Sequence, residues 1–321
     1  MKSIMKKLTS IVLVLLMFFT LITGCTPKEE SPNKEENPIT SEESSQIYPM
    51  EVEDGFGNKV TIEKQPTKII SLAPSHTEIL FALGLDNEVV GVSTYCIYPE
   101  EANAKEKVGD AFNVNIEKIL ELNPDLVIQY GPGKEDVNNK IRNAGIALLS
   151  YEPESIDSVI NLIEEIGKIT NTMIQAKSVT VDMMSKRDYI TNKVSKVEEK
   201  AKVFFEIWDE PLQAAGPGSF IDELIRLSGG ENIASDAEGP YAQFDLEQLI
   251  ERNPDVYLMS KDLETKTIES VKSRPGFSEI NAIKNDRIYM LDPLISIPGP
   301  RIVDGLEIVA KSIYPELFEK K

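Results

Sequence analysis

Ile116-Glu117-Lys118-Ile119-Leu120-Glu121-Leu122-Asn123-Pro124-Asp125-Leu126 aligns without a gap on Leu246-Glu247-Gln248-Leu249-Ile250-Glu251-Arg252-Asn253-Pro254-Asp255-Val256. Both copies carry the same local instructions. Asn115 or Asp245 supplies an N-cap, a glutamate follows at the second helical position, and Asn-Pro stops the helix before a strand. A chain that writes this unit twice is built as two lobes of one plan. Glu117 and Glu121 stand one turn apart on the polar face, as do Glu247 and Glu251. A single first-turn glutamate reads as compensation of the helix dipole, worth about 0.3 to 1 kcal/mol. Its recurrence at equivalent places on two lobes points equally to a two-point docking surface for a basic partner.

Outward from the repeat, the apolar runs Ile69-Leu72, Val89-Val92, Leu126-Ile128 and Ala147-Leu149 alternate with helical stretches, the pattern of βα units around a mostly parallel sheet. The grammar returns at Val203-Trp208, Val256-Met259 and Ile288-Leu291. Met50 to Thr61, turning at Asp54-Gly55-Phe56-Gly57-Asn58, reads as a hairpin ahead of the first lobe. Between the halves, Ser155–Lys168 and Thr172 to about Lys200 read as helices, with Ile174, Val181, Met184, Ile190, Val194 and Val197 on one face of the second. The fold class expected is therefore α/β: two Rossmann-like lobes, at 47–170 and 201–321, joined by one long stiff helix over 171–200.

The N-terminus is an address. Lys2, Lys6 and Lys7 precede an almost wholly apolar run from Ile11 to Ile22, shorter than the roughly 20 residues of a membrane span and right for a secretory h-region of about 7 to 15. Leu21-Ile22-Thr23-Gly24-Cys25 resembles a bacterial lipobox, which makes 1–24 a lipoprotein signal peptide and Cys25 the lipidated first residue of the mature chain. Residues 25–46 are dominated by Glu, Lys, Ser, Pro and Asn, too polar to offset the entropy of ordering, and read as a flexible acidic tether. A linker of that length spans about 25 Å root-mean-square, enough to hold a globular body clear of headgroups.

Charge and composition exclude much. A net charge of -19 repels phosphate backbones, so nucleic-acid binding is not expected. One histidine and two cysteines supply neither a zinc site of the usual nitrogen and sulfur kind nor, His76 apart, a base for a nucleophile. No catalytic residue, resident metal or cofactor is expected. His76 falls in Ser75-His76-Thr77-Glu78, which reads as a capping box opening a helix, with the histidine structural. With Cys25 lipidated, Cys96 has no disulfide partner and reads as a small buried residue.

These features resemble the substrate-binding proteins of ABC importers that have two α/β lobes and a long connecting helix. The resemblance runs from about Ile47 onward and rests on Ile69-Ile70-Ser71-Leu72-Ala73-Pro74-Ser75-His76-Thr77-Glu78, Gly91-Val92-Ser93-Thr94-Tyr95-Cys96-Ile97-Tyr98-Pro99, both copies of the repeat, Ala215-Gly216-Pro217-Gly218-Ser219-Phe220-Ile221-Asp222-Glu223 and Pro298-Gly299-Pro300-Arg301. It is nearest the vitamin B12-binding branch, whose siblings bind ferric siderophores or haem. It implies a monomeric receptor, lipid-anchored on the extracytoplasmic face, that delivers a small-molecule metal chelate to a permease dimer and its ATPase subunits. The family's two docking glutamates fall on Glu117 and Glu247, where the repeat already pointed.

The ligand is expected between the lobes, at the C-terminal ends of the strands. Tyr95, Tyr98, Phe112, Tyr130, Trp208 and Tyr241 are the aromatic residues there. By resemblance Tyr95 matches a corrinoid-contacting tyrosine, Tyr241 a cleft tryptophan, and Leu294, Ile295 and Ser296 a ligand-contacting loop. Arg301 is the one basic residue on a loop expected at the cleft, with helix-start packing or a carboxylate pair as its alternative role. Anionic siderophores need several converging cations, and few are visible, so a neutral aromatic cleft favours cobalamin or a related corrinoid. A siderophore or haem receptor of the same fold is the runner-up. A lipid-anchored glycan-acting enzyme, or an adhesion or sensor protein, stands further off, because the acidic pairs lie on helix starts rather than on cleft loops.

Overall fold

A computed structural model of the chain describes residues 47–110, 113–261 and 266–319. The signal peptide, Cys25 and the tether, all read within residues 1–46, lie outside the described residues, as does Phe112. The chain opens with the hairpin of β1 (Met50–Glu53) and β2 (Lys59–Ile62). Asp54 organises its turn: Oδ1 accepts the Phe56 and Asn58 amides at 3.0 and 2.9 Å, and Oδ2 accepts the Ser150 amide at 3.1 Å, which pins the hairpin to the first lobe.

The first lobe contains β3 (Ile69–Ser71), α1 (Pro74–Ala82), β4 (Val89–Val92), β5 (Glu106–Lys107), α2 (Ile116–Leu122), β6 (Leu126–Tyr130), α3 (Glu135–Asn143), β7 (Ala147–Tyr151) and α4 (Ile156–Ile169). Its strands are all parallel in the order β5-β4-β3-β6-β7. The chain leaves β3 toward β4 and β5, then crosses back to place β6 and β7 on the other side. Connections diverge at that point, so a crevice opens beyond the C-terminal ends of β3, β4 and β6.

After α5 (Met173–Val194), the second lobe runs β8 (Lys202–Asp209), β9 (Leu212–Ala215), α6 (Phe220–Leu227), β10 (Glu231–Asn232), β11 (Tyr241–Gln243), α7 (Leu246–Arg252), β12 (Val256–Ser260), α8 (Ile268–Lys272), α9 (Asn281–Lys284), β13 (Ile288–Leu291) and α10 (Ile302–Ile313). Its order is β11-β9-β8-β12-β13, with β10 beside β8; β8, β12 and β13 are parallel and the β9–β11 edge is antiparallel. The expected α/β class, two lobes joined by one long helix, is borne out.

The repeat proves to be a helix-to-strand clamp. Asn123 and Asn253 end α2 and α7 in the left-handed conformation, at φ 49° and 47°, which asparagine tolerates better than most residues. The Asp125 carboxylate then accepts the Thr67 and Lys68 amides at 2.9 and 3.2 Å, and Asp255 accepts the Lys202 amide at 3.0 Å. Each aspartate thereby fastens its strand beside the central strand of its own sheet, β6 beside β3 and β12 beside β8.

One apolar cluster crosses both lobes. Ile69, Leu126 and Ile163 join Met183 and Ile190 of α5, and these join Val203, Phe205 and Leu306. The opposite sheet faces carry separate clusters, Ile70, Val127 and Leu148 in the first lobe and Phe204, Tyr257 and Phe277 in the second. Phe204 and Phe205 fall into different clusters because successive strand residues point to opposite faces.

The inward stripe of α5 differs from the one read in the sequence. Ala176, Thr180, Met183, Ile190 and Val194 are buried, whereas Ile174 is 85% and Val181 52% exposed. Gly167 sets this rotation: a Cβ there would lie 2.5 Å from that of Ala176, so α4 and α5 approach through their smallest side chains. The helix also ends at Val194 rather than near Lys200, because Lys196-Val197-Glu198-Glu199-Lys200 holds one apolar residue before β8 must start. Lys177 pairs with Glu164 of α4 at 2.7 Å, while Lys186 pairs with Asp304 and Glu307 of α10, each at 2.6 Å. Residues of α5 thus bind both lobes.

Candidate functional site

The crevice predicted by the strand order holds a cavity of about 450 Å³. Leu72, Ala73, Pro74 and Ser75 line it from the end of β3 and the start of α1, Ser93 and Tyr95 from beyond β4, and Gln129 and Tyr130 from β6. Ser296, Ile297 and Pro298 of the second lobe complete it, so the site draws on both lobes. Among the described residues, Lys134 and Asp136, of opposite sign, are the charged ones in its lining.

Gln129 shapes the wall. Its buried amide nitrogen donates to Ser150 Oγ at 2.8 Å and Asn138 Oδ1 at 3.1 Å, while Asn138 donates to the Pro132 carbonyl at 2.8 Å. Gly133 sits against this pair at φ 67°, and a Cβ there would come within 2.5 Å of the Gln129 nitrogen. The loop carrying Tyr95 and Tyr98 is held by Lys107, whose ammonium donates to the Cys96 and Ala102 carbonyls at 2.9 and 3.1 Å.

The aromatic residues singled out in the sequence fall into distinct places. Tyr95 is 61% exposed, and it lines the cavity together with Tyr130, which is 40% exposed. Burial, then Glu152, Tyr241 and Glu154 nearby, push the Tyr130 hydroxyl up to about 12. Tyr241 lies on the edge strand β11 and is 64% exposed. Trp208 is exposed at the end of β8, with its indole N–H donating to the Glu210 carbonyl at 3.0 Å. Tyr98 covers the Arg301 guanidinium at 3.5 Å from its ring centroid.

Three expectations need correction. Ile295 is fully buried, with its Cα 3.0 Å from where a Gly305 Cβ would stand, and belongs to the core rather than to the cavity wall; Leu294 is half-buried, and Ser296 of the same turn reaches the cavity. Arg301 is not a free cation. Its Nε and Nη2 donate to Glu78 Oε2 and Oε1 at 3.0 and 2.6 Å, the carboxylate-pair alternative. The capping box at Ser75 does not form, because Glu78 is drawn away by Arg301 and α1 starts from Ala73 without a side-chain cap.

His76 is buried without a hydrogen-bond partner on either ring nitrogen among the described residues, and burial pushes its pKa down to about 3. Cys96 is buried too, accepting from Thr77 Oγ1 at 3.1 Å with Ser93 Oγ 3.3 Å away. Two further cations are occupied: Lys266 and Arg274 both meet the fully buried Glu206 at 2.6 Å, where the Tyr257 hydroxyl also donates. Nothing in the sequence pattern marked Glu206, which reads as one polar residue in an apolar strand. Gln129 carried the same unread signal at the end of β6. Glu117 and Glu247 are exposed in the first turns of α2 and α7, behind caps in which Asn115 accepts the Lys118 amide at 3.0 Å and Asp245 the Glu247 amide at 2.8 Å.

A sequence model of the periplasmic binding protein family matches residues 69–294. The chain belongs to the periplasmic binding protein family. It is 36% identical over 326 residues to the uncharacterized ABC transporter substrate-binding lipoprotein YvrC of Bacillus subtilis, covering 98% of this chain and 100% of that protein. It is 31% identical over 245 residues to a vitamin B12-binding protein of Vibrio cholerae, across 75% of this chain and 87% of that one. Among solved structures, a possible iron-binding, periplasmic solute-binding protein of Staphylococcus epidermidis superposes with a TM-score of 0.72 at 33% identity, covering 78% of this chain and 100% of that one. The cavity lined from both lobes is the candidate solute site of this periplasmic binding protein.

Proposed function

We propose that this periplasmic binding protein is the lipid-anchored, extracytoplasmic receptor of an ABC importer, and that it captures cobalamin or a related corrinoid. The observation that carries the substrate class is the tyrosine-lined cavity, whose charges among the described residues are Lys134 and Asp136, of opposite sign, while nearby Arg301 is held by Glu78. A buried polyanionic siderophore demands converging free cations, whereas a large amphipathic macrocycle is held by aromatic faces and a few polar groups. The likeness to a vitamin B12-binding protein supports the same reading. Residues 1–24 serve as signal peptide, Cys25 as lipid anchor and 25–46 as tether. Tyr95, Tyr130, Ser296 and Tyr241 contact ligand, with Tyr98 and Trp208 at the margin, and Glu117 and Glu247 dock onto basic pockets of the permease. Two fixed carboxylates supply orientation and association rate more than affinity. The protein binds and hands over; it is a receptor rather than a catalyst.

An iron chelate, as ferric siderophore or haem, is the second reading, favoured by the structural likeness to a possible iron-binding protein. Calorimetric titration of the compact unit from Gln46 to Lys321 with cyanocobalamin, a ferric siderophore and haem separates the two. One-to-one heat from cyanocobalamin alone is expected. Heat from an iron chelate alone would keep the transport role and sink the corrinoid.

A further inference from the structure

The unexplained group in this molecule is His76. It is the chain's one histidine, its ring is fully buried, and among the described residues neither Nδ1 nor Nε2 has a hydrogen-bond partner. Buried polar groups are nearly always satisfied, and an unmet ring N–H costs about 1–3 kcal/mol. Yet the ring lies close behind the ligand cavity. Pro74 and Ser75, the residues before it on α1, line that cavity. Tyr130 stands over the imidazole at 5.9 Å between ring centroids and 34° between planes, and Tyr130 itself lines the cavity. Tyr151 closes another side edge-on at 6.4 Å, and is fixed there by the 2.9 Å hydrogen bond its hydroxyl donates to Glu165. The half-exposed Tyr130 is the side chain with room to turn.

We propose that His76 is a nitrogen donor held in reserve behind Tyr130, which swings aside so that the imidazole can take an axial position on the metal of a bound chelate. This rests on the corrinoid reading of the cavity and adds a residue to it. The donor set fixes the ligand class. Among the described residues no three histidine, cysteine or carboxylate side chains are grouped to hold a metal ion, so a bare cation would find too few ligands. A metal already ringed by a chelator needs one nitrogen only. Burial keeps the imidazole neutral, with its lone pair available, across the whole physiological range. With an aquo-Co(III) corrinoid the step is a ligand exchange: a cobalt–nitrogen bond forms, the cobalt–water bond breaks, and water leaves. The other ring nitrogen keeps its proton, and cobalt keeps its oxidation state.

Absorption spectroscopy of the untagged full chain with aquacobalamin tests this, with cyanocobalamin, which carries tightly held cyanide in place of the exchangeable axial water, as control. Because the chain has a single histidine, any imidazole signature belongs to His76. Both corrinoids should bind, aquacobalamin with a shift of its visible bands and cyanocobalamin without one. The shift should vanish in His76→Asn, and Tyr130→Ala should bring it on several-fold faster. Binding of aquacobalamin to the unaltered chain with no shift overturns the proposal, whatever the variants do, and so does a shift that survives in His76→Asn. An unchanged rate in Tyr130→Ala overturns the gating. Failure of both corrinoids to bind, read by calorimetry, overturns the corrinoid reading itself and the histidine's role with it.

Discussion

Arg301, at the head of α10 in the second lobe, closes a two-pronged ion pair onto Glu78 of α1 in the first, at 3.0 and 2.6 Å. The carboxylate is almost wholly buried, the guanidinium is partly exposed, and Tyr98 lies flat against it. Planar bidentate geometry is something lysine cannot reproduce. The pair therefore does two things at once: it ties the lobes together at the cleft, and it removes from the cleft a charge that an anionic ligand would need.

Glu78→Gln should destabilise the folded chain by about 3 kcal/mol, since removing one partner strands the other beside a buried surface. Chemical denaturation would read it as a lower midpoint with an unchanged slope. Arg301→Lys should cost less, because one hydrogen bond survives; equal losses in the two variants would show that the paired geometry is immaterial.

Glu117→Lys combined with Glu247→Lys should abolish uptake in cells while calorimetry finds ligand affinity unchanged. Each exposed substitution costs at most about 1 kcal/mol through the helix dipole, so folding is not at stake. A drop in affinity would instead make these carboxylates structural or ligand-facing.

Tyr241→Ala should weaken corrinoid binding by about 1 to 3 kcal/mol if the ring is an aromatic anchor, whereas Tyr241→Phe should retain most of the affinity. Titration of both against the unaltered chain decides it. Unchanged affinity in Tyr241→Ala would place the ring outside the contact.

Gly167→Val should lower stability by about 1–3 kcal/mol through overpacking, because even a Cβ would stand 2.5 Å from Ala176. Thermal unfolding measures it. Ala176→Gly in the same chain should restore part of the loss, since it clears the obstructing methyl.

Glu165 gives a pH signature. Burial first, and Asp54 secondarily, raise its pKa above the ordinary carboxylate value, against the opposing hydrogen bond from Tyr151 and the charge of Lys168. A raised folded-state pKa means that this site's contribution is fully present below the unfolded value and is lost as pH rises through the folded one. Glu165→Gln keeps an acceptor for Tyr151 and removes the ionisation. Its midpoint should exceed that of the unaltered chain near pH 7 to 8, with the advantage shrinking toward about pH 4.

Much of the architecture was legible because it is written in local code. Asn-Pro-Asp spells a helix stop and a strand start, and the apolar runs spell buried parallel strands. The rotation of α5 was not, because its inward stripe includes Ala176 and Thr180, which hydropathy ranks below the outward Ile174 and Val181. Only the contact with Gly167, on another helix, decides the matter. Glu78 and Arg301 illustrate the same limit at the site: Ser75 and Glu78 satisfy the capping rule, but a guanidinium from the far end of the chain competes for the carboxylate and wins. Ile295 sits in a loop that resembles a ligand-contacting one, yet its neighbour Ser296 takes the outward place in a tight turn.

The apolar cluster that runs unbroken through α5 has a kinetic consequence. Lobes that share one densely packed interior cannot swing apart as separate bodies without opening voids in it, so the aperture between them is set before the solute arrives. Capture should then be a single encounter rather than an encounter followed by closure. Observed rates of cyanocobalamin capture, which involves no axial exchange, should rise linearly with concentration, showing no plateau, and the receptor should select as a gauge does, by what passes a fixed gap.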